Sequence, residues 1–295
     1  MVTVKAKGID VSKYQSSVDF AKVKAAGYDF VIIRAGYGKV INQKDPMFET
    51  HYKNAKAAGL GVGVYWYSYA KTAAEAKQEA AVCMQVIQNK QFEYPVFFDL
   101  EEKSAFAKGK NVCSEMVTAF CSVLEEAGYF AGLYISRSPL QTHITDEVAK
   151  RYALWIAEYN SKCNYNGSYG MWQHSSTGKV DGVNGNVDCN YCYVDYPTTI
   201  KKIGLNGYPK AASAAATAAS SSKSSYAKGA KITLSNATLY ASAAAASGTK
   251  KSGTYYIYDG QVVNGRIRIT NSAANVGKTP VGSYVTGWVK QSEIK

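Results

Sequence analysis

Residues 94–101 read YPVFFDLE, an apolar, strand-like run that ends in two acids one residue apart. Side chains two apart on a strand share a face, with Cα atoms roughly 6.5 to 7 Å apart, so Asp99 and Glu101 look into one site. Two carboxyl groups so placed suit acid-catalysed cleavage of a glycosidic bond. One must hold a proton for the leaving oxygen, while the other stays ionised against the positive charge that grows on the sugar. Their proximity divides these roles, because the charge on one raises the pKa of the other. Taken alone, Asp-x-Glu also describes a strand end with two solvated acids, so the weight falls on what the rest of the chain builds around it.

That frame is legible as an alternation. Strand patterns occur at 7–11, 30–35, 61–67, 94–100, 131–135, 153–157, 169–173 and 186–188, and helical patterns at 18–26, 46–58, 72–89 and 112–127. Runs such as Phe30-Val31-Ile32-Ile33 and Gly61-Val62-Gly63-Val64 are apolar or small throughout, as expected of strands covered on both faces. Helices end at Gly27, Gly59 and Gly128, where the turn out of a helix favours glycine. Eight strands with little room for helices between the last ones imply an α/β fold, a closed β/α barrel whose final part is nearly all β. Chemistry in such barrels gathers at the C-terminal strand ends. Asp10, the pair Asp99 and Glu101, Glu158 and Asp188 then converge on one mouth. Tyr37, Tyr65, Trp66, Tyr67, Tyr134, Trp155 and Trp172 reach the same rim and could stack on sugar rings or serve as core.

The 295 residues suffice for one large domain and a small one. The net charge of +12 is uneven: from Tyr208 onward there are 11 Lys and Arg against two acids, leaving 23 basic and 20 acidic residues before it. A basic tail attracts polyanions, but an acidic barrel mouth repels phosphates, so no nucleic-acid partner is expected. The run YPKAASAAATAASSSKSSYAKG is low in complexity and lacks an apolar stripe, which marks a linker. After it, short β runs with turn signals at Asp259-Gly260 and Asn264-Gly265 imply a small all-β barrel without an acid pair, hence a binding module. The expected division is a catalytic barrel at 1–200, a linker at 201–230 and a binding domain at 231–295. The start MVTVKAKGID carries no secretory pattern, and no apolar run is long enough to span a membrane. The six cysteines are therefore expected as buried free thiols. Cys189-x-x-Cys192 has no second ligand pair, so no metal or cofactor is expected.

The segments KGIDVSKYQ at 7–15, FFDLE at 97–101, MWQ at 171–173 and GNVDCN at 185–190 resemble the lysozymes of glycoside hydrolase family 25, over about residues 5–196. The resemblance implies an irregular β/α barrel of five β/α units plus three strands. It also implies cleavage of the β-1,4 bond from N-acetylmuramic acid to N-acetylglucosamine in bacterial peptidoglycan. By position Glu101 resembles the proton donor and Asp99 its charged partner, with Asp10 and Asp188 as further site acids. Tyr67 and Trp172 correspond to sugar contacts, and Tyr37 and Trp155 join them as rim aromatics. Cys189 departs from the more apolar residue expected after the last acid. The C-terminal stretch looks like a bacterial SH3-type wall-binding domain, by Gly253-Thr254-Tyr255-Tyr256, Asn264-Gly265-Arg266 and Gly287-Trp288-Val289, with wall peptide or teichoic acid as its ligand. Such an enzyme waits in the cytoplasm without a signal peptide and reaches the wall on release. The alternatives are a chitinase-like or glucosaminidase activity on other 2-acetamido sugars, and a non-catalytic wall-binding protein.

Overall fold

The structure, a computed structural model, describes residues 3–209, 226–243, 245, 247–263, 265–278 and 284–294. Most of the expected linker, 210–225, lies outside the described residues, as does Asn264 of the expected Asn-Gly turn. Contacts divide the chain into two units.

The first unit is built in chain order from β1 (Ala6–Val11), α1 (Phe20–Ala25), β2 (Phe30–Tyr37), α2 (Phe48–Ala57), β3 (Gly61–Tyr67), α3 (Ala73–Ile87), β4 (Val96–Asp99), α4 (Lys103–Phe106) and α5 (Lys110–Glu126). It continues with β5 (Ala131–Ser136), α6 (Arg137–His143), α7 (Asp146–Arg151), β6 (Ala153–Ala157), β7 (Met171–Gly178), β8 (Val187–Cys192) and α8 (Tyr196–Ile203). The eight strands close into one barrel in sequence order, the α/β architecture expected. β1 to β7 run parallel, whereas β8 is antiparallel to both β7 and β1. Two short helices, α6 and α7, fit between β5 and β6, and only from β6 onward does the barrel dispense with helices until β8 is complete.

Period-two alternation sorts the strand residues into two layers. Ile9, Val31, Ile33, Val62, Val64, Phe98, Leu133 and Ile156 face outward and are sealed by the helices. Phe30, Ile32, Phe97, Tyr134, Trp155 and Met171 form a separate cluster with Tyr94 and Tyr196. Bulky rings in this inner cluster are matched by glycines on neighbouring strands. A Cβ at Gly8 would lie 2.2 Å from the Phe30 ring, one at Gly63 2.7 Å from Ile32 Cδ1, and one at Gly132 2.7 Å from Phe97. The lower barrel is thus a packed core, and the polar chemistry is confined to its upper end.

The packing of this unit extends past the boundary expected at residue 200. The start of α8 is capped by Asp195, whose carboxylate accepts from the Thr198 backbone N–H, and the helix ends at Gly204 in the left-handed conformation. Asn206 is fully buried: its side chain accepts from Phe130 N–H and donates to the carbonyls of Phe92 and Tyr94. All six cysteines are free thiols, Cys163 half-buried and the others buried. No helix among the described residues is long and apolar enough to cross a membrane.

The second unit contains β9 (Lys231–Tyr240), β10 (Gly248–Val263), β11 (Arg266–Thr270) and β12 (Gly287–Lys290), antiparallel and closed by pairing of β12 with β9. Alternating Ile232, Leu234, Ile257, Ile267, Ile269 and Val289 make its small core. Arg266 stacks on Tyr240 and donates to the carbonyls of Ser242, Ala243 and Ala245, fixing the connection that follows β9. This is the small all-β domain expected after the barrel.

Candidate active site

Four acids meet at the upper end of the barrel around a cavity of about 150 Å³: Asp10 from β1, Asp99 and Glu101 at the end of β4, and Asp188 from β8. Tyr65, Tyr134, Trp155, Tyr159 and Gln173 complete its wall. The antiparallel course of β8 places Asp188 directly opposite Asp10 in the ladder. Asp10 and Asp99 are buried at the floor, Asp188 is half-buried, and Glu101 is exposed at the rim.

A buried hydrogen-bond chain sets the geometry of Asp10. Its Oδ2 accepts from Gln173 Nε2 at 3.0 Å and from Asn190 Nδ2 at 2.8 Å. Asn190 Oδ1 in turn accepts from Trp155 Nε1 at 2.8 Å. Gln173 Oε1 accepts from the hydroxyls of Tyr134 and Tyr159 at 2.9 and 3.0 Å. Every amide group in this chain has a partner, as a rigid polar floor requires. Asp99 differs, for its Oδ1 is buried without a hydrogen-bond partner.

The electrostatics follow from burial and like charge. Asp10 is held well above the usual carboxylate range by burial and then by the charge of Asp188, against the opposing bonds from Asn190 and Gln173. Asp99 is also pushed well up, by burial and then by Glu101. Glu101 is raised by loss of hydration against the cavity and by the charges of Asp188 and Glu102, and is pulled back by its hydrogen bond with Asp99. Asp188 is raised by burial. Carboxyl groups in such contact cannot all ionise together, so Asp99 and Glu101 retain a shared proton to higher pH than isolated acids would.

A second pocket, of about 320 Å³, is lined by Lys13, Tyr14, Arg34, Tyr37, Tyr67 and Tyr69. Tyr67 connects it to the acids: its hydroxyl donates to Glu102 Oε1 at 2.8 Å, and its pKa is raised by burial, by Glu102 and further by Glu101 and Asp99.

Seven of the residues singled out from the sequence therefore share the acid cavity, namely Asp10, Tyr65, Asp99, Glu101, Tyr134, Trp155 and Asp188, and Tyr37 and Tyr67 line the second pocket. Trp172 lines neither, for it alternates with Gln173 on β7. It is buried against His174 and Tyr191, with Nε1 donating to the Glu158 carbonyl at 2.8 Å. Trp66 likewise belongs to the outer core, its Nε1 bound to the Gly38 carbonyl. The Glu158 carboxylate is occupied by Arg137 at 2.9 Å and by Asn164, so four acids rather than five line the cavity. Sequence reasoning passed over Tyr159, Lys13, Tyr14 and Arg34. Asn190 could have been found, since it stands two residues after Asp188 on the same face of β8.

A closed β/α barrel with four acids gathered at one mouth suits glycoside hydrolysis, and the chain belongs to the glycosyl hydrolases family 25, whose model matches residues 9–183. The matched stretch contains Asp10, Asp99 and Glu101 and ends five residues before Asp188. Among related proteins, the autolytic lysozyme of Clostridium acetobutylicum is 32% identical over 183 residues, which cover 62% of this chain and 54% of that one. The chain thus spans about half the length of that relative. The crystal structure of the CTP1L endolysin superposes with a TM-score of 0.60 at 27% identity, covering 66% of this chain and 69% of the other. A bacterial lysozyme from Streptomyces coelicolor superposes with a TM-score of 0.57 at 25% identity, over 64% and 93% of the two chains.

Proposed function

We propose that this chain is a lysozyme that hydrolyses the β-1,4 bond from N-acetylmuramic acid to N-acetylglucosamine in bacterial peptidoglycan. The observation that carries this reading is the graded set of four carboxyl groups, two buried and two at the rim, around one cavity in a family 25 barrel. Glu101, the most open of the four, is the group a glycosidic oxygen would meet first. In the free protein Asp99 and Glu101 share a proton. A sugar covering Glu101 removes its remaining hydration, raises its pKa further and draws the shared proton outward, so that it is available to the leaving oxygen.

Asp99 then becomes an anion beneath the reacting sugar, with the buried and unpartnered Oδ1 as its free acceptor. That acceptor fits the N–H of a 2-acetamido group, whose own oxygen could attack the anomeric carbon in place of an enzyme nucleophile. Asp10 and Asp188, which hold a proton between them, together add negative potential where the oxocarbenium charge develops, and the Gln173–Asn190 floor keeps Asp10 in place. The relatives called autolytic lysozyme and endolysin support a wall substrate for this site.

The division into barrel, linker and binding domain is part of the same proposal. The second unit is read as an SH3-like domain that holds wall peptide or teichoic acid through its basic surface and raises the local concentration of the barrel at an insoluble polymer. The protein would act on the wall after release from the cell that makes it.

The test is mass spectrometry of borohydride-reduced fragments from purified Gram-positive peptidoglycan, with Glu101→Gln as control. Muramitol ends from the unaltered protein are expected, with at least about a hundredfold lower rate in the variant. Glucosaminitol ends would replace the bond assignment, and release of no fragments would replace the enzyme by a binding protein.

A further inference from the structure

We propose that the pocket formed by Lys13, Tyr14, Arg34, Tyr37, Tyr67 and Tyr69 is a subsite for a carboxylate carried by the glycan beside the scissile bond. The inference rests on the glycan-cleaving reading above and goes beyond it by assigning what the second pocket recognises.

Arg34 is the centre of the argument. It is 9% exposed, and of its five N–H donors it uses Nε, bound to Asp45 Oδ2 at 2.7 Å. Nη2 is buried and has no hydrogen-bond partner. Asp45 is itself fully engaged. The same Oδ2 accepts the Lys13 backbone N–H at 3.1 Å, and Oδ1 accepts from Met47 N–H at 2.9 Å. Asp45 therefore braces the guanidinium through Nε and leaves the buried Nη2 unpaired, a donor that a carboxylate would take once the Tyr14 ring swings aside.

The other walls agree. Tyr14 is 76% exposed and has two cations near its ring, with Lys13 Nζ 5.5 Å and Arg34 Cζ 5.3 Å from the ring centroid. An exposed ring held only by such contacts can swing aside to admit an anion. Tyr37, Tyr67 and Tyr69 offer faces and hydroxyls to the sugar that carries the anion. Lys13 and Arg34 supply the cationic donors of the pocket, with Asp45 bound to Arg34. Glu102, adjacent to Glu101 in sequence, is bound to the Tyr67 hydroxyl. Peptidoglycan provides carboxylates in two places: the lactyl group of a peptide-free muramic acid, and the free carboxylates of a stem peptide. N-acetylglucosamine alone provides none, so the pocket would distinguish muramic acid from its neighbour.

Binding measured in a turnover-blocked protein separates this inference from the catalytic one. Titration calorimetry on the full-length Glu101→Gln protein would use three probes: a peptide-free muramic acid–glucosamine tetrasaccharide, its lactyl methyl ester, and the tetrasaccharide carrying L-Ala–D-Glu on each lactyl group. The free acid or the peptide form should bind about tenfold tighter than the ester. Which of the two does so identifies the source of the carboxylate. Adding Lys13→Met, which removes no buried group, should shrink that preference. Arg34→Lys, which keeps the charge but not Nη2, should shrink it while the folded circular dichroism spectrum is retained. Equal binding of all three probes, or a preference untouched by both substitutions, would overturn the subsite, whatever bond the unaltered protein proves to cleave.

Discussion

The carboxylate of Glu79 offers a test of how the fold holds the rim of its second pocket. Glu79 lies on α3, is buried, and accepts from the Ser68 hydroxyl at 2.7 Å and the Tyr69 N–H at 2.8 Å. It thereby ties down the segment that leaves β3 and carries Tyr69 into the second pocket. Burial pushes its pKa from 4.5 to about 7, although both hydrogen bonds favour the anion. In the unfolded chain the group ionises near its ordinary value. Between about pH 4.5 and 7 the folded protein therefore holds a proton that the unfolded chain has released. Stability from this group is fully present below that window and is lost as pH rises through it, by about 1.4 kcal/mol per pH unit. The loss over the window comes to about 3 kcal/mol.

Glu79→Gln removes the titration and keeps the shape. Urea unfolding of both proteins at pH 5, 6, 7 and 8, followed by tryptophan fluorescence, gives the comparison. Background titrations, including those of the active-site acids, cancel in the difference. The variant's curve of stability against pH should be flatter by about 3 kcal/mol across that range, with the gain appearing at the alkaline end. Parallel curves would mean that Glu79 ionises normally in the folded state, and the account of a buried carboxylate bracing Ser68 and Tyr69 would fail.

Two further outcomes follow from the geometry. Asp10→Asn keeps an oxygen for Gln173 and Asn190 but removes the carboxyl group that shares a proton with Asp188. Steady-state kinetics on soluble glycan should show kcat reduced by about tenfold or more with an unchanged circular dichroism spectrum, and a normal kcat would remove Asp10 from the reaction. Trp172→Phe leaves the part-buried Glu158 carbonyl without its indole donor, so urea unfolding should show a loss of about 1 kcal/mol while KM for soluble glycan stays the same. A rise in KM with intact stability would return Trp172 to the substrate.

Much of the barrel was legible because its signals are local. Covered strands such as Phe30–Ile33 are continuous apolar runs, and helix ends at Gly27, Gly59 and Gly128 coincide with left-handed φ values of 85°, 73° and 85°. The acids were legible for the same reason, since each stands at or near the end of a recognisable strand. What periodicity could not supply was the facing of the aromatics. Trp66 and Trp172 each alternate with a residue that points inward, and only the register of the closed sheet decides which of the two that is. Arg34 was hidden in an apolar strand, its role visible only once Asp45 is brought back beside it. The end of the barrel near Asn206 was equally hidden, because that asparagine makes its bonds to chain segments more than 70 residues away.

The reversed direction of β8 determines where this site is free to vary. A parallel strand would have delivered its acid at the end of the strand and required a long crossover to reach it. Here Asp188 comes at the second residue of β8, so the connection from β7 turns at the catalytic end and returns as a hairpin. Gly182 and Val183 anchor that connection to Asp19 and Val18, whereas 184–186 are exposed, and a side chain at Gly185 would meet nothing within 4 Å. Lengthening a tethered loop is entropically cheap, about 0.6 kcal/mol for each doubling. Insertions at this tip would lengthen the surface beside the acids without disturbing a helix, a strand register or an acid.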